Sequence, residues 1–292
     1  MDALSFSLKN LALTHAGEGS KATQANRHRG LQLMARELKA LGYKLPDYRS
    51  LKPKHVDQLV TNWKTTGISD RTIRNRLGWL RWWGEKTNKP GLLPATNERF
   101  GLAERSPYQG NRAKFFGPEV LATVADERVR LALRLEQAFG LRREEALKFR
   151  VGVADKGDHI QLMPTWCKGG RPRTVPIVHP GQKALLDEVR ALCGSGSLVP
   201  DGQTYVRGLK RYENQLLKAG LSNAHGLRHW YAQWRYKSLT GRDCPAAGGE
   251  AADRLPPDEA RRDFTARMQI SRELGHGRIG VTDTYLGRRV SA

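Results

Sequence analysis

The sequence predicts a mainly α fold with a small antiparallel β-sheet, divided into two domains. Three observations carry this prediction. Apolar residues recur at helical spacing through much of the chain. One stretch, HIQLMPTWCKGGRPRTVPIV (159–178), alternates on either side of a glycine pair and reads as a hairpin. A run rich in proline, glycine and polar residues near positions 100–113 interrupts every periodic pattern, as an interdomain linker does. The 292 residues, 39% of them hydrophobic, are enough for two ordinary cores, since domains usually hold roughly 100 to 200 residues.

Between Lys21 and Leu41, the residues Leu31, Met34, Leu38 and Leu41 predict an amphipathic helix stopped by Gly42. A second helix, from about Pro53 to Thr66, turns Val56, Leu59, Val60 and Trp63 inward and closes at Gly67. Ser69 or Asp70 caps a third, RTIRNRLGWLRWWGEKTNKPG, with Ile73, Leu77, Leu80 and Gly84 as its stripe. Its arginines Arg71, Arg74, Arg76 and Arg81 lie on other faces and are candidates for DNA phosphate contacts, with a solvated basic face as the alternative. At this spacing, packing outweighs base stacking for Trp79, Trp82 and Trp83. Residues 1–104 thus form a basic helical domain, 105–113 a linker and 114–292 a second domain.

In the second domain, helical signals run over 118–124 and 126–139, and another helix starts after Gly140 in GLRREEALKFR. After the hairpin come a helix near Thr204–Ala219 and another beginning in HGLRHWYAQWRYKSL. Residues 241–262, GRDCPAAGGEAADRLPPDEARR, are rich in glycine, proline, alanine and charge, and predict an exposed insertion.

Fifty Lys plus Arg against 29 Asp plus Glu give a formal charge of +21, which attracts polyanions. Nucleic acid is the first partner to consider. A membrane surface fits less well, because the chain has no apolar anchor. No run approaches the ~20 apolar residues of a spanning helix, and MDALSFSLKN lacks the apolar core of a secretion signal. A cytoplasmic, nucleoid-associated protein is expected. Cys167, Cys193 and Cys244 form no CxxC pair and are odd in number, so reduced thiols are expected rather than a zinc knuckle or a disulfide framework.

Singly, the polar residues of the second domain have ordinary structural readings. Together and in order they are more telling: Arg142 in GLRREE, Lys168 in CKGGRPR, His225 and Arg228 in HGLR, His276 in LGHG, and Tyr285 in TDTY, nine positions further on. This set resembles the tyrosine recombinase (phage integrase) family over residues 113–292, and the helical N-terminal region resembles that family's core-binding domain. The resemblance implies a site-specific DNA recombinase, an integrase that cuts and rejoins strands through a 3′-phosphotyrosine on Tyr285, with no cofactor and no metal. It implies specific recombination sites on double-stranded DNA and a homotetramer on synapsed DNA, and it admits an accessory DNA-bending or directionality factor. Lys168 takes the general-acid role by resemblance, with Arg173 of the same hairpin as a rival or a DNA contact.

The chemistry can be argued from the residue types alone. Two guanidiniums that stay protonated and fork onto nonbridging oxygens suit the charge of a pentacoordinate phosphorus, a task for Arg142 and Arg228. A phenol is mostly protonated at neutral pH, so its attack needs a base or a cationic field, which His225, His276 and the arginines can supply. Glu145 shares a helical face with Arg142, so it either orients that arginine or makes a plain surface ion pair. His229 is expected to point elsewhere on its helix. The basic blocks are poor in the groupings of two or three carboxylates that hold Mg²⁺. Three other functions use the same charge: a DNA-binding regulator of this fold without catalysis, a type IB topoisomerase or telomere resolvase, and an RNA-binding structural protein. Only covalent capture of DNA separates catalysis from binding, because all of them show salt-dependent affinity.

Overall fold

A computed structural model describes residues 2–102, 108 and 110–290. The chain divides into two compact units, Met1–Arg105 and Ser106–Ala292. The linker expected over 105–113 lies partly outside the described residues.

The first unit is a helical bundle. Helix α1 (Ala3–Thr14) starts where Asp2 accepts the Ser5 amide at 2.7 Å, and α2 (Lys21–Ala40) is capped by Ser20. Helices α3 (Pro53–Thr65) and α4 (Asp70–Lys86) follow, the latter capped by Ser69. Their stripes meet in a core that holds Leu8, Leu31, Met34, Leu59, Trp63, Leu77 and Trp83, where each fully buried leucine contributes about 2 kcal/mol. Packing claims all three α4 tryptophans. Trp83 is buried and donates to the Tyr48 carbonyl at 2.7 Å. Trp82 donates to Glu18 at 2.8 Å beneath the Arg27 guanidinium. Trp79 lies on Gly30, where a Cβ would come within 2.1 Å of its ring, so the glycine in mid-helix is needed for this close approach.

In the second unit, α5 (Pro118–Ala122), α6 (Glu127–Phe139), α7 (Arg143–Lys148) and α8 (Val151–Ala154) precede β1 (His159–Leu162). Strand β2 (Arg173–Pro176) pairs antiparallel with β1, from His159 opposite Pro176 to Leu162 opposite Arg173. Between them the chain makes short 3₁₀ turns, with Gly169 and Gly170 at positive φ, so the strands are shorter than the alternation suggested. Helices α9 (Pro180–Cys193), α10 (Tyr205–Lys218), α11 (His225–Thr240), α12 (Pro257–Glu273) and α13 (Asp283–Leu286) complete the unit. The core runs from Phe139 and Phe149 through Ile160 and Val175 to Tyr231, Tyr236 and Ile270, with α11 packed between α6 and α12.

Residues 241–262 are largely exposed or half-exposed, with two points of anchorage and the start of a helix. Cys244 is fully buried and Ala246 nearly so, and Pro257 opens α12. Proline at the first helical position begins a helix rather than breaking one, because its missing N–H has no intrahelical partner to lose. Asp263 and Arg267, both inaccessible to solvent, pair at 2.9 Å on the inner face of α12, which hides the apolar stripe that would have announced the helix.

Candidate functional site

Five segments of the second unit converge on one cationic cluster. Gly140 ends α6 with φ +61°, and a Cβ there would come within 2.5 Å of the Tyr231 ring. Its carbonyl accepts a hydrogen bond from Arg228 Nη1. Two residues on, Arg142 sits at the N-cap of α7, and its backbone N–H donates to Glu145 Oε2 at 2.6 Å. Arg142 Nη1 reaches Glu145 Oε1 at 2.8 Å, while Nη2 reaches the Leu274 carbonyl at 3.3 Å.

Glu145 organises this corner. The carboxylate is buried and takes a two-pronged bond from Arg173 of β2, with both contacts at 2.6 Å. Burial alone would raise its pKa, but the Arg173 hydrogen bonds and the charges of Arg173, Arg228 and Arg142 outweigh that and hold the carboxyl at about 2. Glu145 is therefore an interior anchor for two arginines, not a surface ion pair. Arg173, also buried, donates through Nε to the Glu273 carbonyl at 2.7 Å. The expectation that Arg173 meets DNA is corrected: its donors are committed to the interior, and its hairpin serves to brace Glu145.

Arg228 has no exposed surface. It donates to the Gly140 and Leu274 carbonyls, and its Nε points at the Tyr285 hydroxyl at 3.3 Å. Leu274 caps the C-terminal end of α12, so both Arg142 and Arg228 hold the negative end of a helix dipole through one main-chain oxygen. Burial brings Arg228 down to about 10, which still leaves it a cation at neutral pH.

Tyr285 is 5% exposed, and its hydroxyl lies 3.1 Å from His276 Nε2. The same nitrogen is 3.3 Å from Arg228 Nη2. A guanidinium only donates, so Nε2 must accept and the proton of the neutral ring resides on Nδ1. The phenol then donates to His276 and accepts from Arg228. Burial, followed by the charges of Arg228 and Arg142, holds His276 down at about 3. His225 keeps an exposed edge at the mouth of the site, 6.4 Å from the Tyr285 ring between centroids. Partial desolvation and then Arg228 and Arg142 lower it to about 4.

Arg142, Glu145, Arg228, His276 and Tyr285 thus meet in one place, with His225 beside them. Lys168 does not join them: it stands exposed on the hairpin turn and makes no hydrogen bond or ion pair among the described residues. His229 does not point away. Its ring packs 4.6 Å from that of Tyr285, and its Nδ1 is buried without a partner among the described residues. Two further residues hold α13. Arg267 Nη1 reaches Asp283 at 3.1 Å and the Gly287 carbonyl at 3.0 Å, and Gln233 Nε2 reaches the Tyr285 carbonyl at 3.1 Å. Sequence offered no signal for either: Arg267 lies in a helix without an apolar stripe, and Gln233, five positions beyond Arg228, falls on another face of α11.

Beside Arg142 and His225 opens a cavity of about 680 Å³ whose walls include Tyr205 and Leu216. At its floor Tyr212 donates to Glu136 at 2.8 Å. Burial pushes Glu136 up to about 8, so this carboxyl is largely neutral at pH 7. Three guanidiniums against the single charged carboxylate of Glu145 leave the cluster net positive and suited to an anion with forked oxygens.

The first unit corrects part of the basic helix. Arg76 is not a phosphate contact: it is 9% exposed, pairs with Glu37 at 3.0 Å and lies over the Trp63 ring. Arg81 donates to the Pro94 carbonyl and to Asn97, so its guanidinium braces the turn after α4. Arg71 is exposed, and Arg74 pairs with Asp70 at 3.7 Å.

A helical unit followed by a mainly helical unit with one hairpin, the second unit bringing arginines, histidines and a tyrosine together, is the build of the tyrosine recombinases. Comparison with known proteins agrees. The model for the phage integrase N-terminal domain matches residues 1–89 and that for the integrase domain matches 118–234. Among solved structures, a lambda integrase dimer bound to a COC′ core site aligns with a TM-score of 0.61 at 15% identity, covering 94% of this chain and 96% of that one. The Tn1549 transposon integrase in complex with transposon right end DNA aligns at 0.58 and 15%, covering 95% and 93%. XerH recombinase bound to difH substrate aligns at 0.56 and 16%, covering 96% and 80%. At these identities the likeness is one of fold. No curated protein sequence matches the chain. The two domain models together span well over half of the sequence, and the chain belongs to the phage integrase family of tyrosine recombinases.

Proposed function

We propose that this protein is a site-specific DNA recombinase that cleaves and rejoins strands through Tyr285. The observation that carries the reading is the Tyr285 hydroxyl held 3.1 Å from a neutral imidazole and 3.3 Å from a buried guanidinium of the same chain. The scissile phosphodiester binds at the mouth, where Arg142 meets a nonbridging oxygen and Arg228, buried here on the Gly140 and Leu274 carbonyls, must exchange one of those contacts to meet the other. Its negative charge offsets that of the arginines and raises the basicity of His276. The phenolic oxygen forms a bond to phosphorus as its proton passes to His276 Nε2, and the bond to the 5′-oxygen breaks. Lys168, unpinned on its turn, donates the proton that the departing 5′-hydroxyl needs. The product is a 3′-phosphotyrosine, which a different 5′-hydroxyl attacks to restore the strand, so neither ATP nor a metal is consumed. Strand exchange requires four such sites, and a lambda integrase tetramer bound to a Holliday junction shares the fold at a TM-score of 0.57.

The test is covalent capture on a nicked suicide duplex that carries the recombination site. The parent chain is expected to form a protein–DNA adduct, Tyr285→Phe none, and Lys168→Ala an adduct that forms slowly and recovers on a substrate with a better leaving group at the 5′ position. An adduct that persists in Tyr285→Phe overturns the assignment of the nucleophile.

A further inference from the structure

We infer that Gln233 is a positioning residue that latches the nucleophile to the segment by which the chain enters the second unit, an inference that rests on the proposed role of Tyr285. The side-chain amide of Gln233, on α11, makes two contacts with one nitrogen. Nε2 donates to the Tyr285 carbonyl at 3.1 Å and to Asn111 Oδ1 at 2.8 Å. The first contact grips the main chain of the nucleophile, and the second grips the entering segment. An amide nitrogen carries two hydrogens, so both bonds can exist together and the bridge is saturated.

The entering segment is itself registered on the start of α11. Asn111 Oδ1 also accepts the Ala113 amide at 2.9 Å, which fixes a local turn. Lys114 N–H donates to the Gly226 carbonyl at 3.0 Å, and Lys114 Nζ donates to the Ser222 carbonyl at 2.8 Å. At Gly226 a Cβ would come within 2.6 Å of the Arg112 carbonyl, so the segment lies against the very turn that carries His225 and Arg228. Phe115 then packs on Trp230 at 5.0 Å.

The opposite end of the bridge is short. Helix α13 holds only Asp283–Leu286, too few residues to be stable by itself, so tertiary contacts set where its tyrosine sits. Arg267 secures its two ends through Asp283 and Gly287, and Gln233 reaches the backbone at Tyr285 itself. A pull on the segment at Asn111 is therefore felt at the nucleophile through one amide group. Any displacement of this segment therefore acts directly on the docking of Tyr285.

The test combines two measurements on the full chain, with Asn111→Ala, Gln233→Ala, the double variant and Asn111→Asp. In single-turnover capture on the suicide duplex, each alanine variant is expected to form adduct about fivefold more slowly, the scale of one lost neutral hydrogen bond. DNA affinity stays unchanged, and the double variant is no slower than Gln233→Ala alone. Asn111→Asp keeps the acceptor and keeps the parent rate. Separately, in DNA-free protein, backbone hydrogen exchange over 283–287 accelerates in both alanine variants. Multiplicative losses in the double variant, or unchanged exchange in that segment, overturn the latch. Failure of the parent chain to form adduct, with exchange still accelerated in the variants, leaves the latch standing and removes the recombinase reading instead.

Discussion

Replacing Glu145 by glutamine removes the charge that two arginines share while keeping the size of the side chain. A carboxyl held at about 2, where glutamate ordinarily titrates at 4.5, has its charged form favoured in the folded chain by about 3 kcal/mol, at 1.36 kcal/mol per pH unit. Geometry gives a similar figure by another route: the buried pair with Arg173 has both contacts at 2.6 Å, and removing one partner of such a pair costs about 3 to 5 kcal/mol. The amide makes matters worse by turning its own N–H₂ toward a guanidinium. Because the folded pKa is depressed, the contribution of Glu145 is complete above 4.5 and disappears as pH falls toward 2. Glu145→Gln is thus expected to lose about 3 kcal/mol at pH 7, and the deficit should shrink below pH 4.5. Urea unfolding followed by hydrogen exchange in peptides from residues 106–292 reads this unit by itself. A deficit below about 1 kcal/mol at pH 7, or one that persists undiminished at the acid end, refutes the reasoning.

Arg228→Lys should cut adduct formation by about 100-fold or more, since an ammonium cannot reach two carbonyls and the phenol at once; capture near the parent rate counts against a forked role. The histidines predict acid sensitivity in the DNA-free protein. His225 and His229 are lowered to about 4 and His276 to about 3, so below the ordinary 6.5 the unfolded chain binds protons that the folded chain refuses. Stability should fall as pH drops from 6.5 toward 4, and His229→Phe should flatten that slope in melting experiments. Arg71→Ala should weaken DNA binding evenly across sequences and reduce the salt slope by about 1, with melting unchanged. Arg76→Ala should instead destabilise the first unit by leaving the half-buried Glu37 with only the Trp63 indole N–H, an outcome seen in thermal melting without DNA.

How far the sequence could be read depended on whether a residue's partner was near it in the chain. Helices α2, α3 and α4 announce themselves through apolar stripes and caps, and α6 through its helical pattern. Helix α1 was missed because Phe6 and Leu13, both exposed, blur the stripe of Leu4, Leu8 and Leu11. In α9 the Pro180–Gly181 pair looks like a turn, whereas His179 accepts the Gly181 amide and the proline opens the helix. Helix α12 was obscured by its buried polar face. At the site, order and residue type were enough to single out the arginines, histidines and tyrosine. Nothing local indicated that Arg173 turns inward, since its partner Glu145 lies 28 positions away and its other acceptor, the Glu273 carbonyl, lies 100 away. Arg76 misled in the same way, for its stripe position is plain only once Glu37 of α2 is beside it.

The carbonyl of Leu274 has an implication for how this protein can diverge. An acceptor supplied by the peptide backbone survives every side-chain replacement, so drift in residue identity leaves the seat of both guanidiniums intact. What it does not survive is a change of phase: inserting or deleting one residue within α12 rotates that oxygen by about 100° and takes the anchor from under Arg142 and Arg228 together. Mutational scanning of α12 should therefore tolerate many exchanges at its solvent-facing positions and almost no single-residue indels.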